Sequence, residues 1–162
     1  MNQNNAKVEI ISVSSQNTSE IGRSVGEKLH QGDVLALSGE LGSGKTCFTG
    51  GLARGLGVEE KYRITSPTFT LINEYPARYK LYHFDVYRIK GYPELDELGC
   101  EEYLGIEGVV VIEWAEKIAK ILPTKTIFIT FEYVDENKRK MIIEAPADRL
   151  QALVKDIKTE GV

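Results

Sequence analysis

The residues best suited to chemistry begin with one stretch, Gly39-Glu40-Leu41-Gly42-Ser43-Gly44-Lys45-Thr46. It fits G-x-x-x-x-G-K-[ST], the phosphate-cradling pattern, at every position. Glycines let a backbone wrap closely around phosphates, with successive N–H groups turned inward as an anion nest. A helix starting at the end of the loop adds its partial positive charge. Lys45 can reach the β- and γ-phosphates, and the Thr46 hydroxyl can bind Mg²⁺. The expectation is nucleoside triphosphate binding by Glu40, Leu41, Gly42, Ser43, Gly44, Lys45 and Thr46.

Two carboxylates complement the loop. Leu81-Tyr82-His83-Phe84-Asp85 reads as a short strand ending in an acid, and Val109-Val110-Val111-Ile112-Glu113 as a buried parallel strand ending in another. Open α/β sheets bind ligands at the carboxyl edge of their strands. Phosphoryl-transfer sites bring an aspartate beside the loop threonine to hold Mg²⁺. Lys45, Asp85 and Glu113 are therefore the candidate catalytic groups, and Thr46, Asp85 and Glu113 the candidate metal residues. Glu113 has three open roles: metal contact, polarisation of an attacking water, or N-cap of the next helix. Trp114 beside it can pack on a nucleotide base, on a partner or in the core. Thr65, Ser66 and Thr68 occupy the place of a nucleotide-sensing switch loop, although a simple turn fits the same residues. His83 reads as an inert, hydrogen-bonded histidine. Cys47 lies where a helix dipole can lower a thiol pKa, yet a small packed residue is the plainer reading.

These groups need a scaffold. Val8 to Val13 alternates as a first strand, and Thr18 or Ser19 can cap a helix carrying Ile21, Val25 and Leu29, with Gly32 as its stop. Val34 to Leu37 is the strand before the glycine loop, and Thr46 to Leu56 the helix after it, with Gly57 as C-cap. The chain from Thr65 runs into a strand ending near Tyr75, because Pro67 forces extended geometry. Glu94 to Tyr103 and Ala115 to Ile121 read as helices. Thr126 to Tyr133 and Lys140 to Ala145 alternate in period two as a hairpin, and Asp148 to Lys158 has one apolar helical face. The expected fold is α/β: a P-loop NTPase-type three-layer arrangement with a mostly parallel central sheet and a C-terminal antiparallel hairpin, as a single ATPase domain over residues 1–162.

The bulk properties narrow the class. Hydrophobic residues make up 42% of the chain, enough for one sizeable core. A net charge of −4 argues against an autonomous nucleic-acid binder. No apolar run approaches the roughly 18–20 residues of a membrane span. The polar Met1-Asn2-Gln3-Asn4-Asn5 carries no secretory core, and Cys47 and Cys100 have no paired or zinc-type spacing. A cytoplasmic protein with reduced thiols is expected.

Beyond the glycine loop, Ser66-Pro67-Thr68-Phe69-Thr70-Leu71, His83-Phe84-Asp85-Val86-Tyr87-Arg88, Leu98-Gly99 with Glu102-Tyr103-Leu104, Glu113-Trp114 and Leu122-Pro123 follow in order. With them the chain resembles the bacterial TsaE (formerly YjeE) family of tRNA threonylcarbamoyladenosine biosynthesis. The resemblance implies an ATPase that binds ATP and Mg²⁺ and hydrolyses ATP weakly alone. It implies two partners, a Kae1-type threonylcarbamoyl transferase subunit and its inactive paralogue, which modify adenosine 37 of tRNA. ATP hydrolysis would reset that complex between turnovers, with tRNA contacted at most indirectly and no membrane. It also carries over Ser15 to Thr18 as the segment near the adenine, so that Ser15 joins the nucleotide set, and Arg139 at the start of the last strand. Trp114 is counted with the nucleotide residues. Against this stand a small-molecule kinase, for which the chain leaves little room for a lid, and a GTPase, for which Asn137-Lys138-Arg139-Lys140 fails the guanine-reading pattern at its last position. A non-catalytic nucleotide-dependent binding module is the third alternative; it would not require both Asp85 and Glu113.

Overall fold

The computed structural model describes residues 4–105 and 107–158; the polar Met1 to Gln3 lies outside them. One seven-stranded sheet forms the middle layer. Its strands are β1 (Asn5–Ser12), β2 (Val34–Ser38), β3 (Ile72–Tyr75), β4 (Leu81–Asp85), β5 (Val109–Glu113), β6 (Ile127–Tyr133) and β7 (Arg139–Pro146). The spatial order is β1-β7-β6-β2-β5-β4-β3. β6, β2, β5 and β4 pair in parallel, while the β6–β7 hairpin, β1 and β3 are antiparallel additions at the edges. The unbroken apolar runs of β2 and β5 sit centrally because helices cover both faces there.

On one face lie α1 (Ser15–Glu27), α2 (Lys45–Leu56) and α5 (Ala147–Val154), over a core that includes Leu35, Leu37, Val109, Val111 and Ile129. On the other lie α3 (Tyr92–Leu98), α4 (Cys100–Tyr103) and a 3₁₀ segment, Ala115–Ile121, over Val34, Ala36, Val110 and Ile112. The layered α/β arrangement and the C-terminal hairpin agree with the expectation. No helix among the described residues is long and apolar enough to cross a membrane.

Several boundaries differ, each for a local reason. Helix α1 is capped by Ser14, whose Oγ accepts from Asn17 N at 3.0 Å; Thr18 lies buried inside the helix. The helix ends at Glu27, before Gly32, which instead turns the chain into β2 at φ +92°. The expected helix Glu94 to Tyr103 is two short helices, because Gly99 adopts φ +67° between them. Ala115–Ile121 is 3₁₀ and kinks at Ile118. The C-terminal helix stops at Val154, and Ile157 packs on the core beyond a turn.

Helices α1 and α2 approach more closely than side chains normally allow. A Cβ on Gly22 would lie 2.2 Å from the Phe48 carbonyl oxygen, and one on Gly26 2.2 Å from that of Leu52. From the facing helix, a Cβ on Gly51 would lie 1.9 Å from Ser19 O, and one on Gly55 2.1 Å from Arg23 O. Four glycines, spaced four apart on each helix, let the backbones touch and bring both helix N-termini to the same end of the sheet.

Candidate active site

At that end the glycine loop closes over the start of α2. Gly42 and Gly44 hold φ of +77° and +108°, a region that a side chain strains. The Lys45 side chain folds back along the loop: Nζ donates to Gly39 O at 2.6 Å and Glu40 O at 2.9 Å. Its Nζ also sits 4.1 Å from the centroid of the Trp114 ring. Burial pushes the Lys45 ammonium below its ordinary value, against the pull of Glu113, Glu116 and Asp85.

Sheet register places the acids. Asp85 and Glu113 are paired positions, each the last residue of its strand, and both are buried. Glu113 Oε1 accepts from Thr46 Oγ1 at 2.7 Å, and Oε2 accepts from Ser66 Oγ at 3.2 Å and lies 2.9 Å from His83 Nε2. Asp85 Oδ2 accepts from Ser66 Oγ at 2.6 Å and Thr68 Oγ1 at 3.4 Å, while Oδ1 accepts from Tyr87 N at 2.8 Å. Ser66 thus spans both carboxylates. Burial pushes Glu113 up, but its hydrogen bonds from His83, Thr46 and Ser66 and the charge interaction with His83 outweigh it, leaving the carboxyl below its ordinary value.

The acid that touches Thr46 is Glu113 rather than Asp85, which is linked to Glu113 through Ser66. Glu113 does not cap the following helix either: Trp114, at φ +63°, precedes the 3₁₀ segment with no capping side chain. His83 is fully buried under Glu113, so it belongs to the site's hydrogen-bond network. Cys47 donates to Ser15 O at 3.2 Å, and burial raises its thiol pKa, so the helix dipole does not govern it.

A cleft of about 450 Å³ joins these groups. Of the expected residues, Lys45, Thr46, Ser66, Thr68, Asp85, Glu113 and Trp114 line it, as do Ser15, Leu41, Gly42, Gly44 and Arg139. Glu40 and Ser43 contribute from the loop without lining the cleft, through the bonds of the Glu40 carbonyl and Ser43 Oγ to Lys45. Exposed Thr65 stands outside the cleft, its carbonyl accepting from Asn73. The cleft also takes in Thr18, from the Ser15 to Thr18 segment expected near the adenine, together with Cys47, Tyr87, Glu136 and Asn137, which were not among the expected site residues.

Among the described residues, no three His, Cys, Asp or Glu side chains group as a metal cage. Two carboxylates and a hydroxyl remain, an all-oxygen set too small to enclose a cation. That suits Mg²⁺, which keeps several waters and shares its shell with phosphates.

A family model described as "Threonylcarbamoyl adenosine biosynthesis protein TsaE" matches residues 12–141. The chain belongs to the TsaE family. The family acts in tRNA threonylcarbamoyladenosine biosynthesis. Among TsaE relatives, the protein of Treponema pallidum is 43% identical over 82% of this chain and 97% of its own length. That of Bacillus subtilis is 37% identical over 90% of each. The crystal structure of Bacillus subtilis YdiB superposes with a TM-score of 0.75 and 34% identity, covering 94% of both chains. The TsaE match spans the glycine loop, the Ser66 loop, both carboxylate-tipped strands and Arg139.

Proposed function

We propose that this chain is a Mg²⁺-dependent ATPase, an accessory subunit of the machinery that makes threonylcarbamoyladenosine at adenosine 37 of tRNA. The reading is supported most by one convergence. Thr46 of the glycine loop, Ser66 of the hydroxyl loop and the two strand-end carboxylates form a continuous network of bonds between 2.6 and 3.2 Å. A module that only bound nucleotide would not need both acids gathered beside the glycine loop, one of them on its threonine.

The division of labour follows from charge. Lys45 exchanges its bonds to the Gly39 and Glu40 carbonyls for phosphate oxygens, a stronger pairing because both partners are ionised. Thr46, Asp85 and Glu113 hold Mg²⁺, directly or through water; when bound, the ion neutralises phosphate charge and orients the transferred group. Glu113 stays a carboxylate at neutral pH, so it can accept a hydrogen bond from an attacking water and take up its proton. Ser66, bonded to both acids, senses what lies between them. Ser15 and Arg139, which line the same cleft, flank the base.

The partners are the Kae1-type transferase subunit and its inactive paralogue, with tRNA contacted at most indirectly, in the cytoplasm. Hydrolysis resets their complex between turnovers. Phosphate release is measured with and without those two proteins, and tRNA modification is reconstituted with this chain omitted, added, or added as Lys45→Ala. Release stimulated by the partners and modification lost with Lys45→Ala support the reading. Nucleotide binding without hydrolysis under either condition removes the enzyme, and full rescue by Lys45→Ala removes the role of hydrolysis.

A further inference from the structure

Of the six exposed large apolar side chains among the described residues, Leu41 (85% exposed), Phe69 (82%), Tyr87 (47%) and Tyr133 (61%) border the site, while Val13 and Val134 do not line it. Leu41 and Tyr87 line the cleft itself, Phe69 follows the lining residue Thr68, and Tyr133 packs on Arg139, another lining residue, at 4.8 Å. A soluble surface spreads such residues singly unless it serves contact. Beside them runs a second cleft that includes Arg88, Lys90 and Lys117 and shares Tyr87 with the first. Lys120 lies close by, 5.8 Å from the Tyr92 ring. None of these four cations forms an ion pair with a carboxylate among the described residues; Lys117 donates to the Tyr87 carbonyl. Arg88 stacks instead on Phe69, 4.3 Å from its centroid.

We infer that the rim formed by Phe69, Tyr87, Arg88, Lys90, Lys117 and Lys120 docks a protein partner whose surface presents an apolar hollow bordered by Asp and Glu. The inference rests on the partner-controlled ATPase reading and names the surface through which control passes. Aromatic side chains and arginine are enriched at binding hot spots, and here Arg88 stacks on Phe69 and Lys117 lies over Tyr87. A second copy of this chain does not fit: a two-fold contact centred here would set these cations against their own copies. RNA is disfavoured by the exposed apolar side chains Phe69 in the patch and Leu41 on the adjoining cleft, and by the net charge of −4. A partner seated here lies against the Ser66–Phe69 loop, so docking and the bonds of Ser66 to Asp85 and Glu113 affect each other.

The test measures association with the Kae1-type subunit and its paralogue, with ATP and Mg²⁺ present, for the wild type, Phe69→Ser and the pair Lys90→Glu/Lys120→Glu. Phe69→Ser is expected to speed dissociation about tenfold or more. The lysine pair is expected to slow association about tenfold at low salt, with the difference shrinking as salt rises and with ATP affinity unchanged. Variants that associate and dissociate like the wild type overturn the surface while leaving the partner reading intact. Loss of tRNA binding by the lysine pair with an unaltered protein complex overturns it in favour of RNA. A wild type that forms no complex removes the partner reading and this surface with it.

Discussion

Thr46 Oγ1 donates to Glu113 Oε1 across 2.7 Å, tying the first turn of α2 to the carboxyl end of β5. The threonine of the glycine loop and the acid that closes β5 are thereby held together, although 67 positions separate them. The same carboxylate receives Ser66 and His83 on its other oxygen. Motion of the Ser66 loop or of the loop helix changes the hydrogen bonding of one acid.

Glu113→Gln keeps the shape and removes the charge. ATP affinity is expected to change by less than about threefold, while phosphate release falls about 10²–10³-fold, the effect of deleting a group that acts chiefly in the transition state. Steady-state release beside equilibrium binding separates the two. Equal turnover would reduce Glu113 to a structural ligand of Thr46 and His83.

Lys45→Ala removes the charged donor facing the loop. ATP affinity should fall about 10–100-fold, matching the roughly 1.5–3 kcal/mol of a hydrogen bond to a charged group. Trp114 is the only tryptophan and lies 4.1 Å from Lys45 Nζ, so its fluorescence follows the titration directly. Unchanged affinity would exclude Lys45 from the phosphate site.

The lowered carboxyl of Glu113 makes a statement about acid. Between its folded value and the ordinary 4.5, the unfolded chain binds more protons than the folded one, so stability rises with pH across that window. The contribution of Glu113 is present above pH 4.5 and is lost as pH falls through the lowered folded value. Urea unfolding from neutral pH to pH 3 should show the wild type losing its advantage over Glu113→Gln in acid. A constant difference would mean that the carboxyl titrates alike in both states.

Gly22→Ala and Gly51→Ala test the contact between the helices. Each new Cβ meets a backbone carbonyl oxygen at 2.2 or 1.9 Å, and backbone cannot swing aside. Losses of about 1–3 kcal/mol or more are expected, read as a fall in Tm. Gly50→Ala, on the same helix with no atom within 4 Å of its added Cβ, is the control and should be neutral or stabilising by up to about 1 kcal/mol. Equal effects at positions 50 and 51 would deny the close approach.

Much of this site could be read along the chain because its parts are local. The glycine loop is a contiguous motif, and Asp85 and Glu113 announce themselves as acids closing apolar runs. The Ser66 loop was ambiguous between switch and turn, since its partners lie 19 and 47 residues away. The helix start at Ser14 was missed because Ser14, Ser15, Asn17, Thr18 and Ser19 crowd one run of six hydroxyl or amide residues and can each cap; Ser14 has the extended backbone that turns its oxygen on to Asn17 N. The break at Gly99 was missed because the apolar spacing continues across it.

Residue order alone carried the glycine loop, the layered α/β class and the acids at strand ends, because motif and hydrophobic period act over a few residues. Which acid meets Thr46, the joining of both carboxylates by Ser66, and the place of His83 beneath Glu113 were settled by packing. Strand register sets Asp85 beside Glu113, and four glycines let α1 and α2 touch. Those relations span dozens of residues, and a hydrogen bond between distant groups leaves no trace in local periodicity.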